Sequence, residues 1–377
     1  MPPDPRPSDS RPPDSRPSDG SAPTPLDWAL VIATKDRIEA LRVCITLALE
    51  QGRPPAEVIV VDASRDWRGH ADRIGGVMAA HPGVRFRYLQ AALPSLTVQR
   101  NQGIAEARAA VLFLLDDDSF MYPDCAERIM AIYEADTQGL VGGIQTGTAA
   151  HPPRTGIEAG ARKKKGSRMI GKGGQKRHGW LRRLVMQRLF LMDKDALFIP
   201  YDAPAPLSPV PAALAGQDVV PARLFQGYRM TFRRQAVLDE PFDDLLRYYC
   251  PGEDIDASYR VSRRYLMLTA PEARLHHFTA ADGRIDRFRT TALSALNQAV
   301  LLRRHAADQT GARRRYFALM RRRFLAEVLK DALSRRFDLP QARGILHGRT
   351  KARHVFAMPP EALAEWYPAE QDRLVRG

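Results

Sequence analysis

The chain has 377 residues, a formal net charge of +14, and 44% hydrophobic and 8% aromatic residues. This length can form two domains or one large α/β domain, and the apolar fraction is that of an ordinary globular protein. The positive charge indicates an anionic partner, such as a phosphorylated substrate, a nucleic acid or a membrane surface. Three scattered cysteines favour a reduced, cytoplasmic location, and no apolar run is long enough to cross a membrane.

The first 25 residues are near-repeats of Pro, Ser, Asp and Arg, written RPSDS, RPPDS and RPSDG. Such a composition cannot bury a core, so we expect a disordered tail. Strands and helices then alternate. We predict strands at 28–33, 57–62, 84–89, 111–115 and 140–145, and helices at 38–51, 71–80, 96–109 and 123–135. This alternation predicts an α/β fold, with a mostly parallel sheet flanked by helices.

The predicted strand 111–115 runs directly into Asp116, Asp117 and Asp118. Because side chains alternate along an extended chain, Asp116 and Asp118 should face one way and Asp117 the other. Two carboxylates on one side suit Mg²⁺ or Mn²⁺, particularly an ion that also contacts phosphate oxygens. Taken alone, the triplet fits an acidic turn or a helix cap equally well.

Two other predicted strands also end in polar residues, Thr34 with Asp36 and Asp62. Ligands of open parallel sheets bind beyond the carboxyl ends of the strands, so these side chains should lie at one site. The sequence contains neither GxGxxG nor GxxxxGK[ST]. Without a glycine-rich phosphate loop, a bound diphosphate would depend on a metal and on a basic side chain such as Arg100.

The pattern changes after residue 150. The stretch 151–225 contains the basic run RKKK and a predicted arginine-rich helix at 180–192, which fits either an anionic membrane surface or a core helix with one solvated side. A short strand follows within 226–234, then the carboxylate-rich helix start GEDIDASYR at 252–260 and a strand at 265–269. We predict basic helices at 287–305 and 314–336, and mainly irregular structure with one short helix over 338–377.

Read together, these segments resemble one family, the inverting glycosyltransferases of family 2, which have the GT-A fold. The resemblance rests on six segments in the family's order: VIATKDR, EVIVVDAS, VQRNQGIAEAR, LLDDDSFMYPD, QGYRMTFRR with the following FDD, and GEDIDASYR with PEARLHH. It covers about residues 28–278. It implies a glycosyltransferase domain over 26–280, with a nucleotide-binding half (26–150), a basic insertion (about 151–225) and an acceptor half (226–280). A basic helical region, 281–377, follows.

The resemblance also implies roles for individual residues. Asp116, Asp118 and His276 would hold Mg²⁺ or Mn²⁺, and Asp254 would be the general base, assisted by Glu253. The nucleotide sugar would contact Thr34, Asp36, Asp62, Arg100, Asn101, Asp116 and Asp117. From the residues alone, the N-terminus of a helix is the favoured role for Glu253 and Asp254, and Asp117 could be structural.

The expected activity is transfer of a sugar from a nucleotide-diphosphate sugar to a saccharide or lipid-linked acceptor, in the synthesis of a cell-surface polysaccharide or glycolipid. We expect a cytoplasmic enzyme that contacts the inner face of the membrane through its basic insertion and C-terminal helices. One alternative is a sugar-phosphate nucleotidyltransferase, although GEDIDASYR would then have no role. The other is a basic nucleic-acid or membrane-binding protein. Aromatic residues are not interleaved with the basic clusters, so no nucleic acid is expected.

Overall fold

The computed structural model describes residues 25–154, 197–278 and 286–376. Residues 1–24 of the predicted disordered tail and the whole of the predicted helix at 180–192 lie outside the described residues. Within them, strands and helices alternate from Trp28 as far as the strand Val111–Asp116, which confirms the α/β fold class.

The described strands form one mixed sheet. They are β1 (Trp28–Thr34), β2 (Glu57–Asp62), β3 (Arg85–Gln90), β4 (Val111–Asp116), β5 (Ser119–Met121), β6 (Val141–Thr148), β7 (Val220–Pro221), β8 (Arg229–Arg233) and β9 (Leu266–His277). In the order β3-β2-β1-β4-β8-β6-β9-β5 each strand pairs with its neighbours, and β7 pairs with β9. Strands β1 to β4 are mutually parallel, whereas β8 is antiparallel to both β4 and β6.

Helices cover both faces of this sheet, and further helices follow it. They are α1 (Ile38–Leu49), α2 (Trp67–Met78), α3 (Leu96–Glu106), α4 (Cys125–Ala135), α5 (Arg234–Asp239), α6 (Glu253–Ser262), α7 (Arg287–His305), α8 (Gln309–Leu333), α9 (Pro340–Ala357) and α10 (Leu363–Arg376). No helix within these described ranges is long and apolar enough to span a membrane.

Alternate side chains of β1 point into two different hydrophobic cores, one on each face of the sheet. Leu30 and Ile32 belong to the core that includes α1 and α4, whereas Ala29 and Val31 belong to the core that includes Ile104 of α3. Every second side chain of a strand points to the same face, so a fully apolar strand must be covered on both faces. The register pairs Ala33 of β1 with Asp116 of β4, which brings the polar ends of these strands to one edge.

The C-terminal region is more regular than the sequence indicates. Residues 338–377 were predicted to be mainly irregular, but α9 and α10 occupy most of this stretch. Gly344 and Gly348 allow α9 to pack closely on α7, since a Cβ at either position would come within 2.6 Å of α7 atoms. Glycine is a poor helix former in isolation, and this packing compensates for its low propensity. The proposed division of the chain at residues 150, 225 and 280 stays a prediction.

Packing at Gly103 gives a test of this architecture. A Cβ at Gly103 in α3 would lie 2.5 Å from Val31 Cγ1, whereas a Cβ at Gly75 in α2 would have no atom within 4 Å. We expect Gly103→Ala to lower the free energy of unfolding by about 1–3 kcal/mol through overpacking. Gly75→Ala, the matched control, should raise it by roughly 0.5–1 kcal/mol through helix propensity. Urea unfolding measures both values, and equal stabilisation by the two substitutions would contradict the packing of α3 on β1.

Candidate active site

Asp116 ends β4, and Asp117 and Asp118 form the turn that leads from it to β5. Oxygen atoms of Asp116 and Asp118 and a ring nitrogen of His277 all lie within 4.8 Å of one another. His277 Nε2 is 3.1 Å from Asp118 Oδ1. Carboxylate oxygens and imidazole nitrogen are common ligands of divalent transition metals, so this set can hold a cation. We call these three residues the acidic cluster.

The structure corrects the sequence-based choice of histidine. Strand β9 continues past the predicted end at residue 269 as far as His277, and it pairs Ser119 with His277 and Phe120 with His276. Neighbouring side chains of a strand face opposite ways, so only one of the two histidines can face the aspartates. His276 instead lies with Nδ1 3.1 Å from the carbonyl oxygen of Ala149. His277 stacks on Tyr228, with 4.3 Å between the ring centroids.

Asp117 points away from the acidic cluster and toward β1. Its carboxylate accepts a 2.7 Å hydrogen bond from Thr34 Oγ1 and a 3.1 Å hydrogen bond from Arg37 Nη1. Burial raises the pKa of Asp117 to about 7, although Arg37 acts in the opposite direction. Arg37 also lies 3.7 Å from Asp118 Oδ2, so it connects the first strand end with the aspartates.

Arg100 is a buried cation that contacts both Asp116, at the end of β4, and Glu253, at the start of α6. From α3, its Nη1 donates to Glu253 Oε1 at 2.9 Å, and its Nη2 donates to Asp116 Oδ1 and to the carbonyl oxygen of Gly227, both at 3.0 Å. Burial raises the pKa of Glu253 to about 8, the nearby Asp254 acts in the same direction, and Arg100 opposes both. The guanidinium therefore fixes Asp116 relative to the start of α6.

Asp254 lies at the N-terminus of α6, as GEDIDASYR predicts. The preceding Gly252 has a φ of +99°, a left-handed conformation that glycine adopts without steric cost. Asp254 Oδ2 accepts a 2.9 Å hydrogen bond from the backbone amide of Gly227, and Oδ1 accepts one from Ile255 N. The N-terminal end of a helix favours negative charge, so the position suits an ionised carboxylate.

One cavity of about 520 Å³ connects these groups. Asp116 and His277 line it together with Glu253 and Asp254. Its other walls include side chains from the segment after residue 196 and from the C-terminal helices: Leu197, Phe198, Ser294, Gln298, Leu301, Leu302 and Arg323. A carboxylate and a potential cation site therefore face a common space that is large enough for a small organic group.

Two of the predicted nucleotide-binding residues, Asp62 and Asn101, already have hydrogen-bond partners within the protein, and their role in nucleotide binding stays a prediction. Asp62 is fully buried, and its carboxylate accepts hydrogen bonds from Ser64 N and Tyr88 OH, both at 2.7 Å, and contacts His70 Nδ1 at 3.0 Å. Asn101 bonds to both backbone polar groups of Phe242. Their side chains are already engaged within the protein, and neither lines the cavity.

Thr34 and Asp36 remain near the predicted site. Thr34 bonds to Asp117, and Asp36 is exposed, has a φ of 56° and donates its backbone N–H to Ser64 Oγ at 2.7 Å. Sequence reasoning missed Arg37 and His277, although each adjoins a residue that it singled out. It also missed Arg323, because nothing in a long arginine-rich stretch distinguishes the one arginine that is buried.

Comparison with known proteins supplies a family match. Residues 29–197 match the family described as glycosyl transferase family 2. The chain is similar to the solved mannosyltransferase PcManGT from Pyrobaculum calidifontis in complex with GDP-Man and Mn²⁺, at 14% identity and a TM-score of 0.46, over 93% of this chain and 88% of that one. It is also similar to S. aureus TarS 1–349, at 12% identity and a TM-score of 0.42, over 86% and 92%. Both TM-scores are below 0.5. No curated protein matches the chain.

Proposed function

We propose that this chain, whose residues 29–197 match glycosyl transferase family 2, moves a sugar from a nucleotide-diphosphate sugar to an acceptor hydroxyl with inversion. The observation that carries the proposal is that Asp254 lines the same cavity as Asp116 and His277. A base and a site for the leaving group must flank the sugar in a single displacement, and this cavity provides both.

Asp116, Asp118 and His277 would hold Mg²⁺ or Mn²⁺. Two carboxylates and an imidazole within 4.8 Å fit such an ion by ligand type and by number. When bound, the ion supplies positive charge to the diphosphate leaving group. The proposed donor binds on the side of the acidic cluster that carries Thr34, Asp36, Arg37 and Asp117. Asp36 is exposed there and can contact the nucleoside.

Asp254 takes the acceptor proton in the proposed reaction. As the hydroxyl oxygen bonds to the anomeric carbon, the proton passes to the carboxylate and the bond from that carbon to the diphosphate oxygen breaks. One displacement inverts the configuration, so no enzyme nucleophile is required. The Gly227 amide holds Asp254 in place, and Glu253 acts as a positioning residue through its ion pair with Arg100.

Replacing the base should separate transfer from donor binding. We expect Asp254→Asn to lower the rate of sugar transfer at least about a hundredfold, because amide nitrogen and oxygen cannot accept the proton. The assay measures release of nucleoside diphosphate, and calorimetry measures nucleotide-sugar affinity, which should change little. Asp244→Asn, at an exposed residue that does not line the cavity, is the control. Wild-type turnover by Asp254→Asn would disprove its role as base.

The two adjacent histidines provide a matched pair for the metal site. We expect His277→Gln to weaken Mn²⁺ binding by about tenfold or more, because one ligand is lost. His276→Gln should leave Mn²⁺ affinity near the wild-type value, since His276 faces Ala149. Titration of Mn²⁺ followed by electron paramagnetic resonance gives both affinities without an activity assay. Equal losses in the two variants, or full transfer activity in EDTA, would contradict the proposed metal site.

The acceptor side of the proposal includes a membrane surface, with a cell-surface polysaccharide or glycolipid as the product. In the second half of α8 and just beyond it, Leu325, Leu333 and Phe337 are 64%, 68% and 79% exposed. Arg321, Arg322 and Arg335 are exposed in the same region. Apolar side chains flanked by arginines suit the headgroup region of an anionic bilayer.

Vesicle binding tests this surface. We expect the protein to sediment with vesicles that contain phosphatidylglycerol, less with neutral vesicles, and less at high salt. Replacing Leu325, Leu333 and Phe337 together by Gln should weaken binding to anionic vesicles at least about tenfold, because apolar burial is lost. Leu207→Gln is the control, at a residue that is 52% exposed in another part of the chain. Equal binding to both vesicle types would contradict the proposal.

A further inference from the structure

Arg323 of α8 is a buried cation that forms no ion pair within 4.0 Å among the described residues. It is 8% exposed and lines the cavity of the candidate active site. Its one side-chain hydrogen bond among the described residues is donated by Nη2 to Ser294 Oγ, at 3.3 Å, and its buried Nε has no partner there. A buried charge is strongly unfavourable unless it is paired and hydrogen-bonded, so this guanidinium lacks the interactions that its burial requires.

A carboxylate on the same helix does not supply them. Glu327 lies one helical turn further along α8, but its oxygens accept hydrogen bonds from Lys330 and Gln341, and it forms no ion pair with Arg323 within 4.0 Å. Burial lowers the pKa of Arg323, while Glu327 at longer range acts in the opposite direction. An arginine stays protonated at neutral pH even so, and the positive charge remains beside the cavity.

A second polar atom with no partner lies in the same wall. Gln298 of α7 donates from Nε2 to the carbonyl oxygen of Leu197 at 2.6 Å, while its buried Oε1 has no partner in the described part of the chain. Leu301 and Leu302 make the surface around it apolar. The wall formed by α7 and α8 thus presents one hydrogen-bond donor with positive charge and one acceptor, separated by apolar side chains.

We propose that Arg323 binds an anionic oxygen group, a carboxylate or a phosphate, of the acceptor, while Gln298 Oε1 accepts a hydrogen bond from the same molecule. This assignment rests on the proposed function, because Asp254 identifies the side of the cavity where the acceptor hydroxyl reacts. The anionic group is assigned to the acceptor and not to the donor diphosphate, because α7 and α8 contribute no residue to the acidic cluster. The apolar wall further indicates that the acceptor is amphipathic.

Small amphiphiles test the site without knowledge of the acceptor. Octyl phosphate, octanoate and octanol share one chain and differ in the headgroup. We expect calorimetry to show that wild-type protein binds at least one of the two anions about tenfold or more tightly than octanol, and the better anion distinguishes phosphate from carboxylate. Arg323→Met keeps most of the apolar stem and should remove this preference, whereas Arg323→Lys should retain part of it. Arg313→Met, at an exposed residue of the same helix, should bind as wild type.

Three results would overturn the proposal. The wild-type protein could bind the anions and octanol equally well, or Arg323→Met could bind the anions as tightly as wild type does. In the third, Arg323→Met would lose as much affinity for the nucleotide sugar as it loses for the anions. The last result would assign Arg323 to the donor. Because Arg323 has no ion pair within the described part of the chain, Arg323→Met should melt no lower than wild type without ligand. Anion binding that depends on Arg323, in a protein that releases no nucleoside diphosphate from any nucleotide sugar, would refute only the proposed transferase reaction.

Discussion

The geometry of the candidate site depends on the buried guanidinium of Arg100. Two carboxylates from distant parts of the chain, Asp116 and Glu253, lie on either side of it, and the carbonyl oxygen of Gly227 accepts from the same nitrogen as Asp116. Without the cation, burial and mutual repulsion would protonate these carboxylates or separate them. With it, the end of β4, the loop before β8 and the start of α6 are held together, although they belong to different elements.

Much of the first half of the fold could be predicted from sequence, because apolar strands and turn residues are local signals. The α/β class is confirmed, and the GT-A-type fold expected from the resemblance agrees with the family match of residues 29–197. The prediction was wrong where stability comes from contacts between distant elements. Gly344 and Gly348 resemble helix breakers in a linear reading, yet they allow α9 to pack on α7. No local pattern indicates that outcome.

At the site too, the position of a single side chain could not be predicted where it depends on contacts between distant elements. Spacing alone separated Asp116 and Asp118 from Asp117, because alternation along an extended chain is a local property. Which of His276 and His277 faces Asp118 depends on how β9 pairs with β5, and the sequence prediction named the neighbour of the histidine that does so. Asp62 ends its strand as predicted, but Tyr88 and His70, from other elements, occupy its carboxylate. Placement at a strand end therefore does not by itself make a side chain available to a ligand.

The cavity wall formed by α7 and α8 has an evolutionary consequence. These helices lie beyond residue 286, outside the stretch that matches the family, whereas the aspartates lie within it. On the proposed function, the chemistry of the leaving group and the choice of recipient are encoded in separate parts of the gene. Substitutions in α7 and α8 can then change the product while selection maintains the reaction. Two descendants of such an enzyme could share the same N-terminal domain and still build different glycans.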